Sequence, residues 1–189
     1  MIGEQEKEER RERLKFWKDL FEPINAKDIS KTKERLNYYK NFFANNKRKL
    51  NYYFWIIRDI GWLRDEIDAT QKRKESNDGD SKELITELNK LVLIIIGNIM
   101  DSSEENKEQT LMEANWKFEP IFNEKEIPKE GFAYFGEIKI DMDYYRTTYS
   151  KLINKVREEY PKFRGQLEKY SEWNKQQNEK WAKELGVKK

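Results

Sequence analysis

Two stretches of this chain carry residue types that suit recognition chemistry. The first is Tyr52-Tyr53-Phe54-Trp55-Ile56-Ile57, continued by Ile60, Trp62 and Leu63. Large rings dominate the energetics of protein interfaces because each removes a large area from water at little conformational cost. Within this run Tyr52, Phe54, Trp55 and Trp62 are the candidate partner-binding residues. The second stretch sets Lys40, Lys47, Arg48 and Lys49 among Asn41, Asn45 and Asn51, with Tyr38, Phe42 and Tyr52 between them. Basic and amide groups interleaved with aromatic rings suit phosphate contact and base stacking, so these four cations are the candidate nucleic-acid-binding residues under an alternative reading.

Catalytic chemistry has little to stand on. The 189 residues include no His and no Cys, which removes the commonest general base, the usual nitrogen and sulfur metal ligands and the thiol nucleophile. There is no glycine-rich phosphate loop. Carboxylates remain, with Glu104, Glu105 and Glu108, or Asp141 and Asp143, as the groups able to hold Mg²⁺ in principle. Their positions at expected helix starts read better as caps and dipole partners. A calcium loop centred on Gly79 fails because its first and twelfth ligand positions fall on Lys74 and Ile85. The expectation is a protein without enzymatic activity, cofactor or metal.

Composition agrees with a binding role. Charged residues make up 39% and hydrophobic ones only 37%, yet 14% are aromatic, which argues for a folded chain with a thin, ring-rich core. The net charge of +2 conceals segregation. Residues 31–51 hold seven positive charges against one negative, and 144–189 hold twelve against six. Residues 59–87 hold nine negative charges against five positive, and 101–143 hold twelve against five. Packing of these segments against one another in antiparallel fashion would neutralise them. A basic face built from 31–51 and 144–189 for a polyanion is the other reading. The charged start from Met1 to Arg13 reads as no secretory leader, and no apolar run is long enough to span a bilayer, so a cytoplasmic location is expected.

The elements that position these residues are helices. With few Pro and Gly, the pattern predicts an all-α bundle of five or six helices forming a single domain over 1–189. A first helix over 4–21 places Leu14, Trp17 and Phe21 on one stripe with Phe16 and Leu20 beside it, and Pro23 ends it. Helix one is then a natural cover for Phe54 and Trp55, which point away from Ile57 and Ile60. From Asp28 or Ser30 one long central helix is predicted to about Thr70. Its heptad seam is Ile29, Leu36, Phe43, Leu50 and Ile57, with Thr32, Tyr39, Asn46, Tyr53, Ile60 and Ile67 as companions. That seam would also suit self-association. Arg58 and Asp59 interrupt the apolar run and are expected to be solvent-facing or bridged to neighbours.

Beyond a turn signal at Asn77-Asp78-Gly79-Asp80, Asp80 and Glu83 read as a capping box. They open a helix whose second half, Leu91 to Ile96, is apolar all round and therefore central. Ser102 and Glu105 form a second such box before a helix to about Lys117. Residues 118–141 contain two Pro and two Gly, and Ile138, Ile140 and Met142 alternate with charged residues. This is an irregular insertion with room for a short β-hairpin. Asp141 or Asp143 caps a further helix with a stripe of Tyr145, Tyr149, Leu152, Val156 and Tyr160. Pro161 kinks it or opens the last helix, which carries Phe163, Leu167, Tyr170, Trp173 and Trp181. Trp17 to Ile24 and Trp116 to Ile121 echo each other over too short a span to establish a repeat. The functional expectation is an α-helical interaction component, an accessory subunit, adaptor or inhibitor in a larger assembly, with a nucleic-acid-binding subunit as the alternative.

Overall fold

The computed structural model describes residues 3–72, 78–105, 107–118 and 125–184. Six helices and one β-hairpin make up the described chain: α1 (Glu4–Asn25), α2 (Ile29–Asn45), α3 (Leu50–Lys72), α4 (Asp78–Met100), α5 (Lys107–Phe118), β1 (Phe132–Phe135), β2 (Ile138–Asp141) and α6 (Met142–Glu184). The all-α bundle with a small hairpin is therefore the architecture.

The helices α1 and α4 each pack against both α2 and α3. Side-chain pairs fix the directions. Glu12 meets Arg48, Phe16 meets Phe43 and Asp19 meets Tyr39, so α1 runs antiparallel to α2. Arg13 meets Asp59 and Trp17 meets Trp62, so α1 and α3 run parallel. The core between them is rich in rings: Phe16, Tyr39, Phe43, Tyr52 and Tyr53 are buried with Leu36, Ile56, Ile57, Ile60 and Leu63. As its all-round apolar sequence requires, every residue from Leu91 to Met100 on α4 is buried.

Four expectations about elements are corrected. The long central helix is two helices: the chain leaves helical geometry at 46–49, with Asn46 at φ −128° and ψ 108°. Its seam residues Leu36, Phe43, Leu50, Ile57, Tyr39, Tyr53, Ile60 and Ile67 are buried inside this chain, so the surface proposed for self-association is already covered. The first helix does not end before Pro23 but passes through it to Asn25. A proline in the last turn forfeits a single backbone bond, and the stop comes from Lys27 at φ 59°, where the Asp28 amide donates to the Pro23 carbonyl (2.9 Å) and the Lys27 amide to that of Ile24 (3.0 Å). The buried stripe of α1 is Phe16, Leu20, Pro23 and Ile24, and Leu14 is exposed.

The two capping boxes also shift. Asp80 lies inside the first turn of α4, which starts at Asp78 within the expected turn signal. Ser102 accepts the Glu104 amide through Oγ (3.2 Å), while α5 begins only at Lys107. Asp28 is the cap of α2, its carboxylate accepting the Lys31 amide (2.9 Å), and Asp141 caps α6 through the Tyr144 amide (3.0 Å).

The hairpin pairs Phe132 with Asp141, Ala133 with Ile140, Tyr134 with Lys139 and Phe135 with Ile138. Gly136 at φ 63° opens the two-residue turn, a position that needs the left-handed region. The helix α6 is continuous over 43 residues, about 64 Å, with Pro161 inside it. Its stripe is buried at Tyr149, Ile153 and Val156. The side chains of Tyr160, Phe163, Leu167, Tyr170 and Trp181 lie outside the described residues, as do those of Trp116–Phe118 and all of 119–121 in the second half of the sequence echo. Trp173 is exposed.

Candidate functional site

The break at 46–49 is held by side chains from α1, from α4 and from the connection that follows α4. Ending α2 orphans its last carbonyls. Asn46 Nδ2 donates to the Phe42 carbonyl (2.8 Å), and Asn98 Nδ2, reaching from α4, donates to that of Phe43 (2.8 Å). Asn98 also donates to the Tyr53 hydroxyl (3.1 Å), and its Oδ1 accepts from Lys47 Nζ (2.8 Å). The same hydroxyl accepts the Arg48 amide (2.9 Å). At the start of α3, the Leu50 amide donates to Glu104 (2.8 Å), so this carboxylate caps a helix 54 residues away in sequence. Burial pushes the Tyr53 phenol above its ordinary pKa, so it stays protonated.

This connection floors a polar cleft of about 650 Å³. Lys47, Arg48 and Lys49 line it together with Glu8, Glu9, Glu12, Asp101 and Glu104. Arg48 is bonded to both carboxylate oxygens of Glu12, through Nη2 at 2.9 Å and Nε at 3.3 Å, and Lys47 lies 3.9 Å from Asp101. Lys40, the fourth candidate cation, is only 7% exposed and is bonded to Glu87 on α4. Lys33 pairs with Glu83 and Lys155 with Glu108. The basic segment thus meets acidic partners inside the chain. Lys33 meets Glu83, Lys40 meets Glu87 and Phe43 meets Asn98, so α2 and α4 run parallel where the charge pattern suggested antiparallel packing.

Four of the five carboxylates considered for a metal have other work: Glu104 and Asp141 cap helices, Asp143 accepts the Gly131 amide (3.1 Å) and Glu108 holds Lys155. Among the described residues no three acidic groups converge to hold an ion.

The aromatic candidates separate. Tyr52 is buried, edge-on to Tyr53 (6.0 Å), and is a core residue rather than an anchor. Phe54 and Trp55 are half-buried and edge-on to each other at 5.4 Å. Helix α1 does cover this side: the Arg13 guanidinium lies 5.0 Å from the centre of the Trp55 ring while its Nε donates to Asp59 (3.3 Å). Asp59 is accordingly buried and bridged, and Arg58 stacks over Trp55 (5.4 Å) and Phe54 (5.7 Å).

Trp62 is 54% exposed. It stands edge-on to Trp17 of α1 (6.2 Å), which in turn stacks on Phe21 (5.2 Å). Leu14, 56% exposed, lies one turn before Trp17 on the same stripe. The structure therefore sets Trp62 beside Trp17 and Phe21, and Trp55 beside Arg13 and Arg58, neighbours that sequence reasoning had placed in the core or left to solvent. A usable signal was present. Helix α1 carries two apolar stripes, Phe16/Leu20/Ile24 and Leu14/Trp17/Phe21, and one core can take only one of them in full.

No family model matches the chain, and no curated protein or solved structure is similar to it. No helix among the described residues is long and apolar enough to cross a membrane.

Proposed function

We propose that this chain is a non-catalytic interaction component, an accessory subunit, adaptor or inhibitor in a larger assembly, that offers its α1–α3 aromatic face to another protein. The observation that carries the reading is the exposure of Trp62 beside the half-buried rings of Trp17 and Phe21, with the exposed Leu14 one turn before Trp17. An exposed ring backed by half-buried ones on ordered helices is costly to leave in water and is the kind of group that anchors an interface. The alternative, a nucleic-acid-binding subunit, draws less support. Of its candidate cations, Lys40 is buried against Glu87, Arg48 is held by Glu12 and Lys47 is held by Asn98.

The test is a photo-crosslinking residue at position 62, with position 134 on the hairpin as the exposed control, followed by affinity measurement on the captured partner. A discrete adduct specific to position 62 is expected, with Trp62→Ala weakening the purified complex by about 30-fold or more, as for an interface hot spot. Adducts that are the same from both positions, or a complex indifferent to Trp62→Ala, overturn the reading. Binding to single-stranded nucleic acid that falls steeply with salt and is abolished by Lys49→Glu would favour the alternative.

A further inference from the structure

We propose that the occupant of the α1–α3 face is an acidic amphipathic helix, with Arg58 reading one of its carboxylates; this rests on the face being an interaction surface. The face is built from two helices. The parallel helices α1 and α3 present the stripes Leu14, Trp17, Phe21 and Trp55, Arg58, Trp62, each at steps of three and four residues. Contact between Trp17 and Trp62, and between Arg13 and Trp55, joins the stripes side by side. Each stripe covers about two turns, which matches the i, i+3 or i+4, i+7 anchors of a docked helix.

Charge selects the kind of helix. Arg13 is committed to Asp59. Arg58 makes no ion pair among the described residues; its guanidinium lies over the rings of Phe54 and Trp55. Stacking holds a planar fork in place and leaves its N–H edge for a carboxylate, which accepts two parallel bonds from it. Arg11 and Lys18, both exposed, stand three residues before and four residues after Leu14, on the same side of α1. They too make no ion pair among the described residues. Before Trp62 the one acidic residue of α3, Asp59, is buried against Arg13, and the exposed acids near the face lie at its far end, Glu22 on α1 and Asp65 on α3, so the cations hold the half around Leu14 and Arg58. A second copy of this face would set Arg11, Lys18 and Arg58 against the same cations. An anionic bilayer shares the charge preference, but Trp17 packs on Trp62 and Phe21, Trp55 has two guanidinium groups over it, and both rings are half-buried, which leaves them little area to insert.

A displayed library of helical 16-residue peptides, selected on the full chain and depleted on Trp62→Ala, tests this. Trp62-dependent sequences should carry apolar anchors at i, i+3 or i+4 and i+7 with Asp or Glu beside them. Exchanging those acids for Lys in the peptide, or Arg58→Gln in the protein, should weaken binding about tenfold, the peptide exchange leaving the protein fold untouched. Trp62-dependent peptides with neutral or basic flanks overturn the acidic partner and leave the face as an interaction surface. A concentration-dependent dimer lost on Trp62→Ala makes the occupant a second copy. Co-sedimentation with phosphatidylserine vesicles lost on Trp62→Ala makes it a lipid surface. Absence of any Trp62-dependent peptide removes both the occupant and the face.

Discussion

The Tyr145 hydroxyl lies 1.7 Å from the point where a Cβ on Gly97 would stand, and its ring carbon Cζ lies at 2.4 Å. Gly97 is thus the notch in α4 that receives the first turn of α6. The phenol is partly buried there, and this burial pushes its pKa up to about 12. Glycine in a helix interior normally costs about 1 kcal/mol against alanine. Here the sign is reversed. Gly97→Ala should destabilise the protein by about 1–3 kcal/mol, since the phenol must leave its site to admit a methyl group. Urea denaturation measures this. Pairing the substitution with Tyr145→Leu should recover part of the loss, as residues in direct contact are not additive.

A second prediction concerns Asn98. Its Nδ2 supplies the Phe43 carbonyl with the donor that the next turn of α2 would have provided. Asn98→Leu strands that carbonyl, at about 1–3 kcal/mol for a buried unsatisfied group. It also takes the Tyr53 hydroxyl's second partner, so amide exchange at Arg48, which donates to that hydroxyl, should accelerate. Unchanged exchange at Arg48 would mean that the connection is held by its other partners, Glu12 and Glu104.

Why the break at 46–49 escaped sequence reading follows from these bonds. Phe43, Leu50 and Ile57 keep their spacing of seven across it, and no Pro or Gly marks it. What ends α2 is non-local: Asn98 from α4, Glu12 from α1 and Glu104 from the α4–α5 connection. Local pattern did reveal the central helix α4, because a segment apolar on every side has no face to give to water. It also revealed β2, because Ile138 and Ile140 alternate with charged residues. For the site, pattern picked out Trp55 and Trp62 but not their neighbours on α1. Which of two apolar stripes faces inward depends on where α2 and α3 stand, and α1 alone does not encode that.

Lys27 offers a stabilising change. It is the only non-glycine residue at positive φ among the described residues, and it ends α1 in the conformation that glycine adopts without a steric cost. The side chain is exposed, so little packing is lost. Lys27→Gly should therefore raise stability by about 1 kcal/mol, visible as an increased Tm. A fall in Tm would show that the lysine stem makes contacts worth more than the backbone strain it causes.

Two carboxylates, the half-buried Glu87 and the buried Asp59, should respond to pH in opposite directions. At Glu87 burial pushes the pKa up, but bonds from Lys40 and Lys90 outweigh it and hold the group below its ordinary value. Its contribution is present above the ordinary carboxylate pKa and is lost as pH falls through the lowered one. Glu87→Gln leaves the Lys40 ammonium buried without its counter-charge, and should cost about 3 kcal/mol at pH 7, a deficit that closes as pH falls below the ordinary carboxylate range and through the lowered value. At Asp59 burial dominates and raises the pKa despite Arg13 and Arg58. The folded protein then binds that proton more tightly than the unfolded chain, so the charged form costs stability at neutral pH, and the cost is relieved as pH falls through the raised value. Asp59→Asn should accordingly be neutral or stabilising at pH 7, with the advantage vanishing in acid. Arg13 keeps 30% of its side chain in water and tolerates the loss of its partner. Urea titrations of both variants and the parent from pH 3 to pH 8 separate the cases, and an Asp59→Asn protein weakened most at neutral pH would show that the Arg13 pair outweighs the cost of burying it.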